Sequence, residues 1–411
     1  MHTHFISHLL DLPGIQITSV QQETDGLICQ VQPNDVVQAC PTCRSAASVI
    51  RRGTAYIRKV RHLPVFGYDV FLHLPAIRLS CHGCGSSFVW QYEGVAPKKR
   101  YTKAFEQQVS SVLGSTIQHM ARVLRMPITS LTRLCHQWMR QESARVQNEC
   151  WEEAASSPKL VLGIDDFAIR KAHTYNTGLH DLRGESLLEV IPGRTVEELH
   201  QYIDQHPEWG ALQPQAVVLD LAPGYHRFVK EVYPGAIRIA DRYHVNRYVT
   251  EALHAIRKDV QKQLASHAKK HLKRRHRLLG KRRDHLTKAE ANECSVLLSY
   301  SSLLYQAYEW KETFIDWYDC SASYTLAQKG FQFWLQAGEN IDHPAIRSCL
   351  RTMNNWEAEI CNYHQLRFTN AAVEGKNNKI KALQRRHYFT RNPEGYKQRL
   401  LLECNDKRVQ Y

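Results

Sequence analysis

Three apolar runs that each stop on a carboxylate constrain this chain more than any other feature. The run KLVLGIDDFAIR reaches Asp165 and Asp166, QAVVLDLAPGYHRF stops at Asp220, and AIRIADRYHV closes on Asp241 with His244 just beyond. Short apolar runs of this length, rich in Val, Ile and Leu, read as strands. Between the first two lie further strand candidates, TYNTGLHDL and SLLEVIPGR, joined by a turn around Arg183 and Gly184, and then a helix in TVEELHQYI. FVKEVYP supplies a second helix before the last strand. The order is three strands, helix, strand, helix, strand, and acids at strand ends of such a sheet meet at its rim.

A ribonuclease-H-like core has this order. Two strand-end carboxylates hold a pair of divalent ions about 3.5 to 4 Å apart when a third acid arrives from another element. Mg²⁺, or Mn²⁺ in its place, suits such a site because it is a hard, oxygen-seeking cation. The third acid has a candidate in RFTNAAVEGKNNKIKALQRR. On a helix, Asn370, Glu374, Asn378 and Lys381 share one face while Val373, Ile380 and Leu383 line another. In this reading Glu374 closes the site, and Asn370, Asn378 and Lys381 touch phosphate. The competing reading makes each acid a surface or capping residue, as most acids in proteins are.

The N-terminal hundred residues carry a second metal signature. CPTC places Cys40 and Cys43 two residues apart, and CHGCG repeats the spacing with Cys81 and Cys84. Two such knuckles complete a tetrahedral zinc shell, one structural Zn²⁺ per chain. The segment between them suits a ribbon of strands: in VFLHLPAIRLS, Val70, Leu72 and Leu74 alternate on one face and Cys81 arrives at the strand end. The alternative is four buried thiols or redox dithiols; His62, His73 and His82 are substitute ligands. Arg51, Arg52, Arg58, Lys59 and Arg61 lie between the knuckles, where a zinc-held sheet presents them to phosphate. The chain's 12 cysteines are too dilute for a disulfide scaffold, which points to a reducing compartment.

A helical region follows. TIQHMARVLRMPITSLTRLCHQWMRQ reads as helix, turn, helix, with Ala121 small enough for a close crossing, Pro127 in the turn and Thr129 or Ser130 as a cap. A helix-turn-helix of this kind sets its second helix, near residues 129–139, into a major groove, with Arg133 and Gln137 as base-edge readers. A plain helical hairpin is the alternative, because Arg125 stands where Gly is usual. ECWEEAASSPK, from Glu149 to Lys159, reads as an acidic, small-residue linker.

Asp220 and Glu374 are 154 residues apart, which calls for an inserted helical domain. There Leu303, Ala307, Trp310, Phe314 and Trp317 form an amphipathic stripe of core type. Before it, the 32 residues from Arg257 to Lys288 hold 13 Lys or Arg against Asp259 and Asp284 alone. Like charges this dense repel on a helix and need counterions, which DNA phosphates supply. Lys273, Arg274, Arg275, Arg282 and Arg283 are the principal candidates, while His267, His271 and His276 belong to the same polar surface. The whole chain has a net charge of +14, which favours nucleic acid first and an anionic membrane surface second. No stretch approaches the roughly 18 apolar residues of a membrane span, and MHTHFISHLLDLPG has no secretory pattern, so a cytoplasmic, nucleoid-associated protein is expected.

These motifs together resemble bacterial insertion-sequence transposases of the ISL-three type, which have a DDE ribonuclease-H-like catalytic domain. The resemblance runs through CPTC and CHGC, the helices around 117–139, GIDDFAIRKAHTYNT through Arg194, VVLDLAPGYHRFVKEVYPGAIRIADRYHV and TNAAVEGKNNKIKALQRRHYFTRN. It implies Asp165, Asp220 and Glu374 as the metal-binding triad, with Asp241 and His244 as a supporting D-x-x-H element. The family often has Asp-Glu at 165–166; adjacent strand residues point to opposite faces, and Asp165 is taken as the ligand with Asp166 as its register alternative. The expected architecture is multidomain α/β: a zinc ribbon over 1–97, a helix-turn-helix over 98–148, a mixed-sheet catalytic core over 159–250, a helical basic insertion over 251–362, and a C-terminal helix over 363–411 carrying the glutamate. The implied activity is cleavage at terminal inverted repeats of double-stranded DNA and transfer of the 3′ ends to target DNA, by a homodimer or higher oligomer. A non-enzymatic DNA-binding regulator and a sequence-indifferent nuclease are the rival readings.

Overall fold

Alternation along β4 (Tyr68–Cys81) dictates the first sheet, because Val70, Leu72 and Leu74 turn into one core, and after a change of phase beyond Pro75 so do Ile77, Leu79 and Cys81. The computed structural model describes residues 10–387 and 392–410, apart from 11, 25 and 171–173. It divides into two compact units, Met1–Gln141 with Gln410–Tyr411, and Glu142–Val409.

In the first unit, β3 (Val49–Val65) pairs antiparallel with β4 across a two-residue turn. Phe66 and Gly67 both have positive φ there, 49° and 81°, the turn whose twist matches that of the strands. Ile15–Pro33 adds a hairpin that the cysteine spacing does not announce: β1 (Ile15–Glu23) against β2 (Gly26–Pro33), with β2 parallel to β4. The sheet order is β1-β2-β4-β3, with β5 (Ser87–Val89) also on β4, so β3 is an edge strand. Helices α1 (Lys103–Gln107), α2 (Ile117–Val123) and α3 (Ile128–Ser156) follow. Thr116 caps α2 by accepting the His119 N–H at 3.1 Å. The turn between α2 and α3 has no glycine, so Arg125 itself takes the left-handed conformation, with φ 45°.

The linker expected over Glu149–Lys159 is helical as far as Ser156. Its acids are helix-compatible, and ion pairs within and beyond the helix hold them. Arg145 bridges Glu142 at 2.7 Å and Glu149 at 2.8 Å, three and four residues along the helix, and Arg408 pairs with Glu153 at 2.5 Å.

The second unit holds a five-stranded mixed sheet in the order β10-β9-β6-β7-β8. Strands β6 (Val161–Arg170), β7 (Thr174–Asp181) and β8 (Ser186–Pro192) form an antiparallel meander, while β9 (Ala216–Leu219) and β10 (Ile237–Ala240) run parallel to β6. The crossovers are α4 (Val196–Gln205) and α5 (Pro223–Val232), where the apolar periodicity places them. From α6 (Arg242–Gln263) the described chain is helical through residue 366: α7 (Ser266–Arg275), α8 (Lys288–Leu298), α9 (Ser302–Cys320), α10 (Tyr324–Glu339), α11 (Pro344–Asn355) and α12 (Glu357–Leu366). Ala307, Trp310, Phe314 and Trp317 are buried as expected. Trp310 stacks on Trp334 at 4.5 Å, and each indole N–H donates to the other's carbonyl, which removes the cost of burying it. Finally α13 (Ala371–His387) and α14 (Pro393–Cys404) cover the sheet, with Ile380, Leu383 and Leu400 packed on Phe167 and Leu187.

Candidate active site and metal centres

The two cysteine knuckles are folded alike. In the first, the Arg44 N–H donates to the Cys40 carbonyl at 2.9 Å and the Cys40 N–H to Ser45 O at 3.0 Å. In the second, the Gly85 and Cys81 N–H groups make the same bonds, to Cys81 O and Ser86 O, both at 2.9 Å. Arg44 and Gly85, each just after a second cysteine, are both left-handed, with φ 58° and 73°. These turns bring the four ligand sulfurs within 4.8 Å of one another, with Cys40–Cys84 and Cys43–Cys81 at 3.5 Å. Zinc–sulfur bonds of about 2.3 Å put tetrahedral sulfurs about 3.8 Å apart, so the cluster fits a structural Zn²⁺. Ser86 draws the Cys84 thiol down to about 6 while the neighbouring Cys81 sulfur pushes Cys43 up to about 11, so the four thiols ionise together only around a cation. His62 is buried and occupied by Thr102 and the Leu10 carbonyl, so it takes no part.

The carboxylates of the second unit are assembled by register. Gly163 pairs with Val218 and Leu219 with Ala240, so one or two further steps bring Asp165, Asp220 and Asp241 side by side across three parallel strands. Asp220 and Asp241 form a cluster with His244, whose Nε2 is 3.1 Å from Asp220 Oδ1. Burial, then the charges of Asp220 and Asp166, push Asp165 up to about 7. Burial, then Asp241 and Asp166, raise Asp220 to about 7 as well. Helix α13 braces the row. The Asn377 amide donates to Asp165 Oδ2 at 2.6 Å, and the Asn370 N–H to Asp241 Oδ1 at 3.0 Å. Asn370 Oδ1 and Asn377 Oδ1 are buried with no hydrogen-bond donor among the described residues. Asn370 Oδ1 sits over Gly163 among Leu182 and Val373, whereas Asn377 Oδ1 belongs to the amide that donates to Asp165; crowded acids beside such an acceptor fit a hard cation.

Asp166 faces the other way. Its Oδ2 is 3.2 Å from Arg194 Nη1, and that guanidinium lies 3.8 Å over the Tyr175 ring. The loop carrying Arg194 is set by Gly193, with φ 90°, where a Cβ would fall 2.3 Å from Glu198. Glu198 accepts the Arg194 and Thr195 N–H groups, both at 2.9 Å, and so starts α4 with a capping box.

Glu374 is in the first turn of α13, exposed and without a side-chain partner among the described residues; it is not in the Asp220–Asp241–His244 cluster. Asn370 is buried and braces the strand end, with Nδ2 3.4 Å from Ile164 O, whereas Asn378 and Lys381 are exposed. The asparagine whose side chain touches an acid is Asn377, which the apolar and polar spacing does not single out. Seven residues return a helix to within about 20° of its starting face, and eight overshoot by about 80°, so helix geometry selects 377 over 378. Of the basic candidates, Lys273 and Arg274 are exposed without an acid partner among the described residues, and Arg275 is 3.3 Å from Glu293. Arg282 pairs with Asp319 and Asp284, and Arg283 with Glu309 at 2.6 Å, so these two are neutralised within the fold. Arg133 and Gln137 are exposed on α3.

Fold and sites together define a zinc-ribbon protein with an acid-rimmed mixed α/β sheet, the make-up of a transposase. The chain belongs to the ISL3 transposase family, whose family model, described as transposase, matches residues 162–400. A second model, described as the zinc-finger of transposase IS204/IS1001/IS1096/IS1165, matches residues 37–84. The transposase for insertion sequence element IS1001 of Bordetella parapertussis is 27% identical over 369 residues, 89% of this chain and 88% of that protein. The transposases for IS1557 from two strains of Mycobacterium tuberculosis are 28% identical over 233 residues, 55% of this chain and 50% of theirs. No helix among the described residues is long and apolar enough to cross a membrane.

Proposed function

We propose that this chain is the transposase of an insertion sequence: it binds terminal inverted repeats, hydrolyses the phosphodiester at each element end, and joins the freed 3′ hydroxyl to target DNA. The observation that carries the reading is the row of carboxylates set by strand register, in which Asp220, Asp241 and His244 lie within 4.8 Å of one another and Asp165 is the next strand's residue. Asp165 and Asp220 would hold two Mg²⁺ or Mn²⁺ ions, with Glu374 closing the site from α13. Such a pair of ions supplies charge stabilisation to the attacking and leaving oxygens of an in-line displacement.

The chain's own residues prepare that site. Asn377 fixes the Asp165 carboxylate, His244 sits against Asp220, and Asp241 anchors the start of α13 through the Asn370 N–H. Asp166 is tied to Arg194 on the opposite face, which leaves Asp165 as the ligand. The zinc ribbon over 1–97 and a helix-turn-helix over 98–148 recognise the repeats, with Arg133 and Gln137 at base edges. The ribonuclease-H-like core is split between 159–250 and 363–411 by the helical insertion over 251–362. Lys273, Arg274, Arg275, Asn378 and Lys381 contact phosphate. Two element ends must be paired, so the working form is at least a dimer on DNA, in the cytoplasm.

The test is cleavage of terminal-repeat duplexes with Mg²⁺ by full-length Asp165→Asn, Asp220→Asn and Glu374→Gln proteins that remain folded and DNA-bound. Binding without cleavage is expected. Cutting at the wild-type rate overturns the triad, and equal cutting of random duplexes by the wild type favours a sequence-indifferent nuclease. Tight binding with no metal-dependent cutting favours the non-enzymatic regulator.

A further inference from the structure

We propose that a groove in the first unit, between the edge strand β3 and the α2–α3 turn, grips the phosphate backbone of double-stranded DNA and sets the register of α3 on it. The proposal rests on the transposase reading for its DNA, and on the groove's own construction for its site.

The groove encloses about 680 Å³. Arg58, Lys59, Arg61, Lys98, Lys99 and Arg100 line it, and among the described residues no carboxylate does. Arg61 is bound to Asp69 at 2.8 Å, and Lys99 lies 3.4 Å from Glu106. The other four cations have no acid partner among the described residues, so their field opens into the groove. Tyr56 and Ile57 stand on its rim, both about 60% exposed, and offer apolar contact to deoxyribose.

The walls are hydrogen-bonded to one another. The Arg58 guanidinium donates to the Lys99 carbonyl at 3.1 Å, the Arg61 N–H to Arg100 O at 2.9 Å, and the Thr102 N–H to Arg61 O at 3.0 Å. Arg61 also donates to the carbonyl of left-handed Arg125 at 2.9 Å. Groove floor and helix turn are therefore one piece, and Pro127 at the head of α3 lines the same groove. Lys99 reaches across to Gln137 at 3.1 Å. A phosphate seated here is registered against the helix that carries Arg133 and Gln137.

Charges on an edge strand also block strand-to-strand aggregation. That role accounts for Arg51 and Arg52, which lie outside the groove. It does not account for Lys98–Arg100, a separate segment turned toward the same space.

The experiment uses the full-length protein with Arg58→Gln, Lys59→Gln, Lys98→Gln and Arg100→Gln combined, and a milder Lys98→Gln, Arg100→Gln double variant. Zinc content and helicity verify folding. Fluorescence anisotropy against a terminal-repeat duplex and a random duplex is followed over a salt series. Every cation removed from a phosphate makes the plot of log K against log salt shallower by about 0.9, so slope changes of roughly 3.6 and 1.8 are expected. Affinity should fall by the same factor for both duplexes, because the DNA backbone carries no sequence information. Unchanged slopes, or a weakening confined to the repeat duplex, overturn the groove while leaving the transposase reading intact. Wild-type protein that binds neither duplex overturns both.

Discussion

Cys40, Cys43, Cys81 and Cys84 come together on two turns with matching hydrogen bonds, whereas Asp165, Asp220 and Asp241 come together because β9 and β10 end in register with the middle of β6. The knuckles are local devices: each orients two sulfurs within a few residues, and only the β3–β4 hairpin is needed to bring the pairs together. The acids are separated by tens of residues and repel one another, and two of them rise to about 7 through burial and that repulsion. A thiolate site of this kind contributes folding energy through its metal. The crowded carboxylates instead cost folding energy wherever their charges are uncompensated.

The largest break in that comparison comes from Cys40→Ser combined with Cys43→Ser. Zinc analysis should fall from about one ion per chain to none, and calorimetry should lose the first unit's transition, since structural zinc supplies on the order of 10 kcal/mol. Retained zinc would remove the knuckle assignment. The acids should respond with the opposite sign. Asp220→Asn in metal-free protein should stabilise the second unit at pH 8 by roughly 2 kcal/mol, because a crowded charge is removed. The same substitution should lower Mg²⁺-dependent cleavage by about a thousandfold or more. A destabilised metal-free variant would show that the repulsion is not real.

The pH dependence follows from the same crowding. A carboxyl raised to about 7 keeps a proton in the folded state that the unfolded chain has given up by about pH 5. Stability contributed by Asp165 and Asp220 is thus full below about pH 4 and falls as pH rises toward 7. Thermal melts between pH 4 and 8 should show this decline without Mg²⁺ and a shallower one with it. The smallest effect separates two neighbours on α13: Asn377→Leu should weaken cleavage about 10- to 100-fold by freeing Asp165, and Asn378→Leu much less. Equal effects would mean that α13 acts by touching phosphate alone.

Much of this is legible from pattern. The five strands of the second sheet, Asp220 and Asp241 just past two of them and the buried Val373, Ile380 and Leu383 follow from runs of apolar residues and helical spacing, whereas β6 runs on past Asp165 and Asp166 to Arg170 because β7 pairs with it there. Other positions are not legible, for physical reasons. Glu149–Ser156 reads as a linker by composition, but ion pairs to Arg145 and Arg408 keep it helical. Arg61 counts as one more exposed cation in sequence, yet Asp69 and the Arg125 carbonyl bury it. Arg282 and Arg283 are indistinguishable from Lys273 and Arg274 until α9 brings Asp319 and Glu309 against them.

The sequence by itself determined which chemistry was on hand: two thiol pairs, acids set in or just after apolar runs, and a basic excess, because residue type and short-range spacing carry that information. The tertiary structure decided which of those groups meet. It turned Asp165 toward α13 and Asp166 toward Arg194, chose Asn377 over Asn378, and paired Arg282 and Arg283 with acids while giving Lys273 and Arg274 none among the described residues. Strand register and helix phase determine such choices, and both depend on packing between residues far apart in the chain.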